Sequence, residues 1–280
     1  MHVQVNGVRL FFDVEGAKLV PDGATLREKP TLVLLHGGPG LDHSSWKPDF
    51  SRLTDLVQLV YVDHRGNGRS DRSTPEHWSL DQWADDVRGL CDALGIERPI
   101  VMGTSFGGMV AMAYATRHPE HPARLIFSST SPRQNLARML ERFEARGGPE
   151  ARRAAERFWT DPGPETLPDY LTRAMPLYNA RAAASSEALR RSILNLDLLY
   201  HFARNGVDFD LRPGLANVRC PTLVLGGALD PVCPIEDQEE IVAALRAEHV
   251  RFERFEDAGH GVFRDEPERA FAVLRDFLAP

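Results

Sequence analysis

The chain has 280 residues, 42% hydrophobic and 26% charged, proportions that exclude disordered and fibrous classes and allow one large domain with an insertion. Its formal net charge of −7 offers no basic face to a phosphate backbone, so no nucleic acid or membrane partner is expected, and a small-molecule or short-peptide substrate is. Cys91, Cys220 and Cys233 form no CxxC pair and are expected as reduced thiols. With no secretory pattern and no run near the ~20 apolar residues of a membrane span, the expected location is cytoplasmic.

In chain order, residues 3–5 and 8–14 read as a hairpin across Asn6-Gly7, because both turn residues tolerate positive φ. Short, almost unbroken apolar runs follow at 31–35, 59–62, 100–102, 125–127 and 222–225. Unalternated runs bounded by Gly, Pro or Asp are the pattern of strands covered on both faces, which implies a mostly parallel central sheet. Helical patterns at 80–94, 106–116, 235–245 and 267–278 alternate with them, and residues 250–255 alternate apolar with polar. The expected class is therefore α/β with helices on both faces of the sheet. Between 131 and 216 the alternation stops. Leu136, Met139, Leu140 and Phe143 fall at helical spacing, as do Leu167, Tyr170, Leu171 and Ala174, so 131–216 reads as a helical cap inserted in a core of 1–130 and 217–280. Pro162, Pro164, Pro168 and Pro176 are expected to cut this cap into short helices.

The motif that carries chemistry is Gly103-Thr104-Ser105-Phe106-Gly107, placed between an apolar run and a helical stretch. A serine at a sharp strand-to-helix turn projects its hydroxyl above the sheet, and small residues two before and two after let the two elements pack closely. That hydroxyl needs a base, and the base needs an orienting acid, in the chain order Ser, Asp, His. Asp230, just past the 222–225 strand, and His260, in Asp257-Ala258-Gly259-His260-Gly261, fill those places. Asp257, on the histidine's own loop, and Asp63, at the end of the 59–62 strand, are the weaker candidates for the acid. His118 and His121 resemble an HxxH metal pair, but Pro119 and Pro122 break the helix that would align them. Donors for a developing oxyanion are expected from the backbone N–H groups of Phe106 and of Gly38, in the loop His36-Gly37-Gly38-Pro39-Gly40. His36 itself is expected to serve that loop's backbone.

The segments His36-Gly37-Gly38-Pro39-Gly40, Asp63-His64-Arg65-Gly66-Asn67-Gly68-Arg69-Ser70 and Gly103-Thr104-Ser105-Phe106-Gly107 resemble the proline iminopeptidase branch of the α/β-hydrolases. The resemblance implies the α/β-hydrolase fold, no metal or organic cofactor, and a triad at the matching Ser105, Asp230 and His260. The chain departs from that branch at His64, where the family has glutamine, and at Trp159-Thr160-Asp161, where it carries a Trp-Glu signature. Cap carboxylates in that branch hold the substrate's α-amino group. Here Glu141, Glu144, Glu156, Asp169 and Asp197 are the available acids, most of them expected in solvent. The expected function is a serine hydrolase that cleaves an ester or amide bond through an acyl-enzyme, either an iminopeptidase-like aminopeptidase or a carboxylesterase or lactonase. A non-catalytic small-ligand receptor on the same fold is the rival from another class. Phe106, Trp46, Phe158, Trp159 and Tyr178 are candidates for an apolar acyl pocket, with core packing the commoner fate of any one cap aromatic.

Overall fold

The computed structural model describes residues 1–181 and 187–279. Strand β1 (His2–Val5) turns through Asn6 and Gly7, at φ 45° and 82°, into β2 (Val8–Glu15), with Val5 opposite Val8. Strands β3 (Leu19–Asp22) and β4 (Thr25–Glu28) form a small separate hairpin that the sequence patterns did not announce. Next come β5 (Thr31–Leu35), β6 (Gln58–Val62), β7 (Ile100–Thr104), β8 (Arg124–Ser128), β9 (Thr222–Gly227) and β10 (Val250–Phe255). They join β1 and β2 in one eight-stranded sheet of order β1-β2-β6-β5-β7-β8-β9-β10. Pairing is antiparallel for β1 with β2 and for β2 with β6, and parallel from β6 onward.

The apolar runs are explained by burial on both faces. Val33, Val101 and Val224 face a cluster with Trp83 and Val87 of helix α1 (Leu80–Ala93) and Val110 of α2 (Phe106–Arg117). Their neighbours Leu32, Leu34, Met102 and Leu223 face the opposite cluster. Each strand therefore buries successive side chains in different cores, and no polar face remains to produce alternation.

Between β8 and β9 lie α3 (Leu136–Thr160), α4 (Leu167–Arg173), α5 (Glu187–Arg191), α6 (Leu196–Asn205) and α7 (Arg212–Leu215). A third apolar cluster, including Met139, Leu140, Phe143, Phe158 and Tyr170, holds α3 to α4. The four prolines singled out do fall where this stretch breaks, Pro162 and Pro164 in the connection from α3 to α4, but the first helix is not short: it runs 25 residues and is interrupted at Gly148, φ 72°, just before Pro149. Pro168 and Pro176 open α4 and the short 3-10 turn Met175–Tyr178, because a proline in a first turn gives up an N–H that has no helical acceptor. The chain closes with α8 (Ile235–Ala244), β10, α9 (Val262–Asp265) and α10 (Pro267–Leu278), whose Phe271 and Leu274 cover the second core face. Among the described residues no helix is long and apolar enough to cross a membrane.

Candidate active site

The parallel strands carry their carboxyl ends to one sheet edge, and the loops leaving β5, β7, β9 and β10 meet there. At the end of β7 the backbone turns into α2 through Ser105, at φ 52° and ψ −123°. For a residue with a side chain this conformation is strained, by about 1–3 kcal/mol, and persists only where the surroundings enforce it. They do so by contact. A Cβ on Gly103 would lie 2.1 Å from the Gly107 carbonyl oxygen, and one on Gly107 would lie 2.1 Å from the Leu35 carbonyl oxygen. The Ser105 N–H donates to the Ser128 carbonyl at 3.0 Å, and the Thr130 hydroxyl donates to the Ser105 carbonyl at 2.7 Å. The turn is thus bonded on both sides to the chain leaving β8.

Asp230 follows β9 and is buried, 1% exposed. Its Oδ1 accepts the N–H groups of Val232 at 2.8 Å and Cys233 at 3.0 Å, and its Oδ2 accepts Nδ1–H of His260 at 2.7 Å. With Nδ1 donating to a carboxylate, the Nε2 of a neutral imidazole is left with a free lone pair. The base and acid expected from the sequence are therefore joined. Among the described residues the Ser105 hydroxyl makes no hydrogen bond to His260; it faces the thiol of Cys233, the residue whose N–H is bound to Asp230. Burial, and then the Asp230 charge, hold that thiol well above its ordinary pKa, so it remains neutral beside Ser105.

The loop after β5 flanks the serine: a Cβ on Gly37 would sit 3.5 Å from Ser105 Cβ. His36 is fully buried, and burial lowers its pKa, so its ring is neutral. Its Nε2 accepts the His64 N–H at 3.2 Å, which leaves the proton on Nδ1 to be donated to the Gly37 carbonyl at 2.6 Å. In a trans peptide the carbonyl and the following N–H point in opposite directions. Holding the Gly37 carbonyl against His36 therefore turns the Gly38 N–H away from that ring. Gly38 itself takes φ 128°, open to glycine and costly for other residues. The Phe106 N–H, first in α2, has no acceptor within the helix.

The competing candidates lie elsewhere. Asp63 is fully buried and occupied by His43 Nδ1–H at 2.7 Å and by the Arg69 N–H at 2.8 Å. Asp257 is exposed. His118 is bound to Asp85 and His121 to the Tyr114 hydroxyl, so the two imidazoles serve separate contacts. Two proposed pocket aromatics are corrected: Trp46 packs edge-on against Phe50 in the second core, and the Phe106 ring, 1% exposed, is enclosed by Trp83, Phe202 and His64. Phe158 lies inside the third cluster. Tyr178 does meet the site, its ring edge-on to His260 at 5.3 Å and its carbonyl accepting the His260 N–H at 2.6 Å. The Tyr178 hydroxyl is bonded to that of Tyr170, which also accepts Trp159 Nε1–H at 3.3 Å. Burial raises both phenols, Tyr170 to about 12, so they stay protonated. Sequence reasoning missed Cys233, Tyr170 and Asp265 as neighbours of the site. Only the helical spacing of Tyr170 carried a signal, and that signal pointed to core packing.

Residues 30–267 match the family of the alpha/beta hydrolase fold. Proline iminopeptidase PfmaB of Pestalotiopsis fici is 25% identical over 281 residues, covering 96% of this chain and 98% of that protein. A proline iminopeptidase structure from Mycobacterium smegmatis superposes with a TM-score of 0.79 at 24% identity, over 99% of this chain and 97% of that one. A thermophilic esterase from Thermogutta terrifontis does so with a TM-score of 0.73 at 27% identity, over 99% and 98%. With the matched region spanning most of the chain, this protein belongs to the alpha/beta hydrolase fold family.

Proposed function

We propose that the protein is a serine hydrolase in which Ser105 attacks an ester or amide carbonyl, His260 accepts the serine proton, and Asp230 orients and stabilises the imidazolium. The observation that carries this reading is the buried Asp230 bonded to His260 Nδ1, on loops that leave the same sheet edge as the strained Ser105 turn. The tetrahedral oxyanion takes hydrogen bonds from the N–H groups of Gly38 and Phe106. His260 then passes its proton to the leaving group, and the acyl-enzyme forms as the bond to that group breaks. Water attacks the acyl carbon, His260 takes the water's proton, and Ser105 Oγ leaves with a proton returned from His260. Residues 131–216 act as a cap over the core of 1–130 and 217–280.

The surroundings favour an uncharged ester or lactone over an N-terminal proline peptide. A desolvated α-ammonium needs a carboxylate partner. Glu141, Glu144, Glu156, Asp161 and Asp197 are exposed, and Asp169 is paired with Arg173 at 2.8 Å. On α8, Asp237 is paired with Arg138, and Glu236 with Arg142 through Oε1, while its buried Oε2 has no hydrogen-bond partner among the described residues. Beside His260, the one carboxylate bonded to the ring, Asp230, is taken up by Nδ1–H and two backbone N–H groups, and the aromatic neighbour is the neutral Tyr178. The aminopeptidase reading retains support from the His36-Gly37-Gly38-Pro39-Gly40 loop and the iminopeptidase relative. A panel of short acyl esters and a proline arylamide, run on wild type and Ser105→Ala, tests both points. Ester turnover should exceed that of the arylamide, and Ser105→Ala should lose roughly 10⁶ in rate. A loss of tenfold or less overturns the nucleophile, and a faster arylamide overturns the substrate preference.

A further inference from the structure

We propose that Asp265 is a positioning residue that fastens the His260 loop to cap residues 178–181, so that the base is aimed only while that part of the cap is seated. This rests on the reading of His260 as the base.

Asp265 ends α9, is 0% exposed, and forms no ion pair among the described residues. A buried carboxylate without a cation must take its stabilisation from N–H donors, and here they come from two separate stretches of chain. Its Oδ2 accepts the Gly259 N–H at 2.8 Å and the Ala180 N–H at 2.9 Å, and its Oδ1 accepts the Arg181 N–H at 3.4 Å. Its own N–H donates to the Gly261 carbonyl at 2.9 Å, closing the helical turn that follows His260. The same cap stretch reaches the base directly, through the His260 N–H bonded to the Tyr178 carbonyl at 2.6 Å. The approach is so close that a Cβ on Gly259 would lie 2.2 Å from the Tyr178 oxygen.

The consequence is geometric. Asp230 holds the imidazole at one ring nitrogen, and that bond leaves the ring free to pivot about it. The second constraint on the ring is its own backbone, and the N–H groups of both Gly259 and His260 are held by Asp265 or by the stretch Asp265 anchors. Loosening that backbone shifts Nε2 relative to Ser105 without touching either side chain, and a displacement near 1 Å can cost about 10²-fold in rate. Catalysis would then depend on cap seating through hydrogen bonds as well as through shape.

The test uses the full chain and a fluorophosphonate probe, which phosphonylates Ser105 Oγ with loss of fluoride and needs no knowledge of the substrate. Asp265→Asn keeps the shape but has a single oxygen for three N–H donors and turns an NH₂ group toward them. Its labelling rate at Ser105 should fall by about 10–100-fold, and kcat on a short acyl ester should fall in parallel while KM stays within about twofold, because the pocket walls are unchanged. Hydrogen exchange should quicken at Gly259, His260 and Ala180 and stay slow along β9. A second variant, Ala180→Pro, removes one donor and leaves the carboxylate intact. Asn179 already has φ −105° and ψ 149°, the extended geometry of a residue before proline. Its labelling should fall about 3–10-fold, and it decides the matter if Asp265→Asn does not fold. Labelling within twofold of wild type in folded Asp265→Asn, or a lower melting temperature with kcat intact, overturns the proposal. Failure of the wild type itself to label at Ser105 would overturn the reading of the active site instead.

Discussion

At the scale of single residues, the turn that presents Ser105 exists because two glycines leave room for it. Gly107 passes within contact distance of the Leu35 and His36 carbonyls, so a methyl group there must displace backbone rather than a flexible side chain. Gly107→Ala should therefore cost ~3 kcal/mol or more, since backbone cannot relax as a side-chain tip can. Its urea midpoint measures the cost, and a change under about 0.5 kcal/mol would contradict the close packing. This part of the site was legible because the Gly-x-Ser-x-Gly spacing encodes the approach of strand and helix directly. The orientation of the Gly38 N–H was not, because it depends on which His36 nitrogen is protonated. That choice is made by an N–H of His64, brought in from the loop after β6. Cys233 was likewise hidden, since its place beside Ser105 arises from the packing of β7 and β9 loops that sequence spacing cannot bring together.

At the scale of elements, strands buried on both faces identified themselves by unbroken apolar runs, and the hairpin by Asn6-Gly7. The helical stretch between β8 and β9 was read in part: its four prolines do fall at the element boundaries after α3, whereas the left-handed Gly148 that interrupts α3 gave no signal. What fastens the entry of α3 to α8 is ionic and invisible to periodicity. Glu240 of α8 accepts from Arg133 at 2.8 Å, Arg138 at 2.8 Å and Arg212 at 3.3 Å. The Arg133 hydrogen bonds lead in holding its carboxyl down at about 2, against an ordinary 4.5. A carboxylate with a depressed folded pKa adds stability that is complete above its unfolded value and disappears as pH falls toward the folded one. Glu240→Gln should therefore destabilise by roughly 1–3 kcal/mol at pH 7, with the gap from wild type narrowing between pH 4.5 and pH 2. Urea melts across that range measure it, and a gap constant with pH would assign the effect to packing.

At the scale of the whole molecule, the parallel strands β5 to β10 deliver their carboxyl ends to the same edge, which brings the loops carrying Ser105, Asp230 and His260 to one side of the sheet. The chain order Ser, Asp, His made Asp230 and His260 readable as a pair without any contact being known. The bond between Asp230 and His260 is the part of that reading the fold makes explicit. The inner surface of the cap was unreadable for the opposite reason: helical spacing fixes which residues share a face and leaves open which face meets the core. The stretch between β8 and β9 is hydrogen-bonded to two of the loops at the candidate site. Ala180 and Arg181 bind Asp265 on the His260 side, while the N–H groups of Asn195 and Ile193 bind Gly40 and Asp42 on the other, at 2.9 Å each.

Intact-mass and peptide mapping after fluorophosphonate treatment tests the central claim most directly. The account predicts one adduct per chain, on the peptide containing Ser105, and none in Ser105→Ala. An adduct on another residue, or an unmodified wild-type chain, would contradict it.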